Sequence, residues 1–99
     1  MESKQYSWKW VTDDEIVSKM ACEICMIALT CDGANANVTV YDGEDDNGEL
    51  VMVVKGLQNR TVDINIDHHI YCRRGIYLVM SPAVFGVFIQ WKMCPSKEG

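Results

Sequence analysis

The 99-residue chain is 48% hydrophobic and carries nine Lys and Arg against fourteen Asp and Glu, a formal net charge of −5. That length allows one domain and no second core. The acidic balance, with Arg73-Arg74 the only adjacent basic pair, argues against nucleic acid as a partner, and no run reaches the ~20 apolar residues of a membrane helix.

The first apolar stretch follows Glu2, Lys4, Asp13, Asp14 and Glu15 rather than a short basic start. No secretory leader is therefore expected, and synthesis in the cytoplasm is. Five cysteines are an odd number, which fits a reducing compartment where free thiols pack as small apolar groups. Asn37-Val-Thr39 and Asn59-Arg-Thr61 match the glycosylation pattern, but without a leader they carry no expectation.

Residues 1–19 form an expected N-terminal arm or helix. Tyr6, Trp8 and Trp10 alternate with Ser7 and Lys9, so in an extended arm all three rings leave from one side. Such rings either add to a neighbouring subunit or pack on the chain's own core. A short helix over 13–20 is signalled by Thr12 as N-cap and Glu15 completing a capping box.

A β domain is expected over 20–94. Met20 to Cys31 is apolar apart from Glu23 and stops at Asp32-Gly33, which favours a strand. On a strand Cys22 and Cys25 point to opposite faces, so the C-x-x-C spacing is a weak zinc signal. Cys22, Cys25 and Cys72 with His68 or His69 remain the alternative ligand set for a metal. Buried structural thiols are the favoured reading, and no cofactor is expected.

Val38 and Val40 alternate into Tyr41-Asp42-Gly43, then Glu44-Asp45-Asp46-Asn47-Gly48 leads to an apolar run from Leu50. This is a hairpin, with Asp42-Gly43 and Asn47-Gly48 as residues that tolerate positive φ in turns. The carboxylates fit the calcium-loop spacing only in part, since Asn47 stands where the loop needs glycine. A solvated turn is the better reading.

Val62, Ile64 and Ile66 alternate with Thr61, Asp63 and Asn65 in a half-buried strand, and Gly75 turns the chain into the β-rich Ile76–Met80. From Val84 to Met93 both faces are largely apolar. One is expected in the core; Phe85, Val87, Ile89 and Trp91 are expected, with the arm, to contact a partner. Residues 95–99 should fray. Adjacent His68 and His69, no nucleophile turn and no phosphate-binding glycine loop argue against an enzyme. The pattern as a whole is an all-β, antiparallel β-sandwich of jelly-roll type with six to eight strands.

The order of these elements resembles small all-β virion proteins of tailed bacteriophages and prophage elements. The resemblance rests on Val38-Thr-Val-Tyr-Asp-Gly43 preceding Gly75-Ile-Tyr77, and spans roughly residues 20 to 92. It implies a structural protein of the virion, a capsid decoration or cement protein or else a head-tail or tail component. It implies partners among capsid or other virion proteins and among copies of the chain, with a trimer as first expectation. The rival expectation is a small metal- or ligand-binding β-module.

Overall fold

The computed structural model describes residues 6–93. Residues 1–5 of the expected arm, Cys94 and the tail 95–99 lie outside the described residues. The described chain is all-β: β1 (Tyr6–Val11), β2 (Glu15–Ser18), β3 (Cys22–Cys31), β4 (Ala36–Asp42), β5 (Glu49–Gly56), β6 (Thr61–Cys72), β7 (Ile76–Met80) and β8 (Val84–Met93). These strands form two four-stranded antiparallel sheets. Sheet I has the order β1-β8-β3-β6 and sheet II the order β2-β7-β4-β5.

The pairings are nested. β4 pairs with β5, β3 with β6, β2 with β7 and β1 with β8. Two more pairings, β3 with β8 and β4 with β7, join these couples into the sheets. Alternation then brings the inner faces of both sheets into one buried cluster. Val11, Ile24, Ile27, Leu29, Val87 and Ile89 come from sheet I, and Val38, Val40, Val54, Ile76 and Leu78 from sheet II. Burying each such side chain favours the fold by about 1.5–3 kcal/mol before ordering entropy is counted.

The expected helix is replaced by β2. Glu15 does not close a capping box; its carboxylate pairs with the Lys9 ammonium on β1. Asp14 accepts the Met80 amide at 2.7 Å, and Ile16 pairs with Tyr77 across the ladder. Two β-branched residues, Ile16 and Val17, already favour strand over helix, and the β7 edge supplies hydrogen bonds to a segment too short to hold a helix on its own.

The arm is likewise a strand, with Tyr6 opposite Lys92 and Val11 opposite Val87 along the whole of β1. Its rings project onto the outer face of sheet I, not into the core. On β8 the expected contact face is corrected. Val87, Ile89 and Trp91 are core residues, because they stand opposite Leu29, Ile27 and Ile24 on β3. Phe85 leaves that series. The register slips between the Thr30–Gly86 and Cys31–Val84 pairs, and the extra residue turns Phe85 outward, where it is 59% exposed.

The turn chemistry also differs in part. Among the described residues positive φ occurs at Asn59 (57°) and at Gly75 (127°), not at Gly43, Asn47 or Gly48. Gly75 ends the β6–β7 connection against Ser18, and a Cβ there would lie 2.2 Å from the Ser18 carbonyl oxygen. Backbone strain and this clash act together. Gly75→Ala is therefore expected to lower unfolding free energy by about 2 kcal/mol or more in urea titration. A loss under about 0.5 kcal/mol would mean that the corner is not rigid.

Candidate functional site

Two features of the outer face of sheet I, and one loop at the sheet ends, gather the residues singled out by sequence. The first is aromatic. Directly paired residues of a ladder share a face, so Tyr6, Trp8 and Trp10 stand beside Lys92, Gln90 and Phe88. The Trp8 ring stacks on Phe88 with centroids 5.8 Å apart and planes 27° apart. Trp10 meets Phe85 at 6.1 Å and 63°. Trp10 lies over Gly86, where a Cβ would come within 2.1 Å of the ring. Glycine at 86 is thus what lets the indole lie down on the sheet. The rings brace one another and keep one side toward solvent.

The second feature is a groove made by a double irregularity. Between the Ile24–Ile70 and Met26–Asn65 pairs, β6 runs through Ile66–His69 while β3 advances past Cys25 alone. The extra length of β6 opens a groove of about 500 Å³ lined by Tyr6, Cys25, Asn65, Ile66, Asp67, His69 and Gln90. Cys25 Sγ lies 3.7 Å from His69 Nδ1, and Glu23 Oε1 lies 3.5 Å from the same nitrogen. Lys92 Nζ stands 3.9 Å from that carboxylate oxygen and 5.8 Å from the Tyr6 ring centre, while Tyr6 meets His69 edge-on.

This cluster has the residue types of a nucleophile, a base and an orienting acid, but not their geometry. A relay uses both imidazole nitrogens, one toward the nucleophile and one toward the acid. Here thiol and carboxylate compete for Nδ1. The thiol is also held in its neutral form: burial pushes the Cys25 pKa up, Lys92 opposes the rise and Glu23 adds to it. A thiolate nucleophile requires the reverse.

The third feature is the acidic bend. Asp42 is a structural acceptor. Its Oδ2 takes the Arg73 amide at 3.0 Å, its Oδ1 the Arg74 amide at 2.8 Å, and its carbonyl the Arg74 guanidinium at 3.2 Å. Asp45 Oδ1 accepts the Asn47 amide at 2.9 Å within the bend. Glu44, Asp45 and Asp46 are exposed. Gly43 and Gly48 bring the two stems of the bend together, with Gly43 packed against the Gly48 backbone.

The alternative metal set is not brought together. Cys22 and Cys72 face each other across the β3–β6 ladder inside the core, Cys25 turns to His69, and His68 is exposed. Among the described residues no group of three or more His, Cys, Asp or Glu side chains is arranged to hold a metal ion. The groove at Cys25 and His69 escaped sequence reasoning because the two residues meet only through the slipped register. Comparison with protein-family models, curated proteins and solved structures finds no match.

Two outcomes are expected. Asp42→Ala removes the acceptor of two amides and should cost about 1–2 kcal/mol in denaturant, whereas Asp46→Ala stays within about 0.5 kcal/mol. Equal losses would deny Asp42 its role. Cys25 should be alkylated slowly at neutral pH, at a rate still climbing through the ordinary thiol range, as followed by peptide mass spectrometry. Its folded pKa is raised, so the linked stability is fully present below the unfolded thiol's pKa and is lost as pH rises through the folded value. Fast alkylation at neutral pH would contradict the burial.

Proposed function

We propose that this chain is a non-catalytic structural protein of a tailed-phage or prophage virion, made in the host cytoplasm and acting as a capsid decoration or cement protein. A head-tail or tail component is the same reading at another place in the particle. In this reading the fold is a β-sandwich of jelly-roll type. Support comes from the nested pairing of first with last, second with seventh, third with sixth and fourth with fifth strand, the order obtained when a long double-stranded ribbon is wound into two sheets.

The observation that carries the role is the outer face of β1 and β8. Trp8 is 66% and Phe85 59% exposed, although both are braced by neighbouring rings. Large rigid aromatics left in water on a sheet face are the composition of a contact hot spot. Their ordering cost has already been met inside the monomer, so a partner gains their burial with little further loss of freedom. The Cys25–His69–Glu23 cluster suits a structural role, given the shared nitrogen and the neutral thiol.

Virion proteins act in many copies, so weak contacts per copy suffice. Co-sedimentation with capsids from the phage or prophage that encodes the chain tests the reading. Binding is expected, with Trp8→Ala and Phe85→Ala each weakening it by about tenfold or more, the scale of an aromatic hot spot, and Asp46→Ala leaving it unchanged. A chain that stays monomeric in native mass spectrometry and sediments with no virion component would overturn the proposal.

A further inference from the structure

Each sheet has two edges, and an edge strand with free backbone groups pairs with another chain unless something prevents it. Three of the four edges here are obstructed. β6 runs out of register through Ile66–His69 and exposes Asp63 and Asp67. β2 has four residues and a register shift between Ile16 and Ser18. β5 is flanked by Glu49 and Lys55, and its ladder slips between Val40 and Tyr41.

β1 differs from all three. Its six residues pair with β8 without a register shift, and Tyr6–Val11 contains no glycine or proline. The one charge in the strand, Lys9, is engaged by Glu15 of its own chain. Lys9 stands opposite Ile89, so it lies on the inner side, bridging toward sheet II, and leaves the outer face to the rings.

We propose that two copies of this chain pair antiparallel through the free edges of β1, about a two-fold axis at Trp8. This rests on the structural role proposed above and names the contact between copies. Such a pairing is isologous. Because paired residues share a face, only registers that set outer residues against outer residues are allowed. A register centred on Lys9 would oppose two ammonium groups directly, which is destabilising. Centring on Trp8 sets Trp8 against its symmetry mate, Tyr6 against Trp10 and Ser7 against Lys9.

Surface area supports the same arrangement. Exposures of 38% for Tyr6, 66% for Trp8, 43% for Trp10 and 59% for Phe85 leave about 400 Å² of aromatic surface in water, at about 200 Å² per ring side chain. A stable interface takes about 800 Å² from each partner, so one copy offers about half. Two copies joined edge to edge, with Trp8 against its mate and Tyr6 against Trp10, merge their rings into one continuous surface larger than either copy's on an eight-stranded sheet. The pair thus supplies the platform that a single chain lacks.

The test combines native mass spectrometry with hydrogen exchange on the full chain and on Trp8→Lys. Trp8 is mostly exposed, so the variant should keep its circular dichroism spectrum and a cooperative urea transition. Expected are a dimer of the 11.2 kDa chain, β1 amides that gain protection as concentration rises, and at least about tenfold weaker pairing in Trp8→Lys, where like charges meet at the axis. Assembly that leaves the β1 amides unprotected, or that Trp8→Lys does not weaken, overturns the edge pairing while leaving the structural role standing. A monomer that still binds capsids does the same. A monomer that binds none overturns both.

Discussion

A strand buries every second side chain, and it can exchange its buried set for its exposed set only by gaining or losing a residue against its neighbour. In sheet I this happens on β3 at Cys25 and on β8 at Phe85. Before Cys25 the core takes Cys22 and Ile24; after it the core takes Ile27, Leu29 and Cys31. Without the slip, the second half of β3 would present Met26, Ala28 and Thr30 to the interior. The slip at Phe85 works in the same way: it keeps Val84 against the core and releases the phenyl ring to Trp10. Core composition and the aromatic face depend on these two positions, and the groove on the slip at Cys25 together with the extra length of β6 through Ile66–His69.

Sheet ends are held by side-chain acceptors as well as by backbone bonds within and between the loops. Asp42 ties the β4–β5 bend to the β6–β7 connection, Asp14 reaches the end of β7, Asn35 Oδ1 accepts the Gln58 amide and Ser81 Oγ the Asn37 amide. Each contact joins loops far apart in sequence. Such bonds are worth about 1 kcal/mol apiece, yet they satisfy backbone donors that a loop would otherwise leave to water. The same polar residues that read as turn formers therefore also specify which loops lie together.

Strands with regular alternation were legible in the sequence. Val38–Val40, Val62–Ile66 and the run from Val84 declare themselves by period two, and the acidic bend marks a reversal. The first two strands were not. Tyr6–Val11 is polar and aromatic by turns, and its partner, β8, lies at the far end of the chain; Glu15–Ser18 is four residues long and carries a capping pattern that pairing with β7 overrides. Both faces of β8 are apolar, so the side facing the core is decided by β3 and not by β8 itself. The Cys25–His69 contact was hidden for a related reason: the residues are 44 positions apart and meet through a slip that no local pattern announces.

The nested order sets the first and last strands side by side, with Tyr6 opposite Lys92 at one end of sheet I. A force drawing the two ends of the described chain apart would therefore act on the ladder at its tip. It would open the β1–β8 hydrogen bonds one after another, as a zipper, and not strain them together in shear. The contacts of Tyr6 with Lys92 and His69 are the first resistance met along that path, followed by the Trp8–Phe88 stack and the Lys9–Glu15 tie. Tension on the ends would peel away the aromatic strand while the nested pairs inside it stay closed.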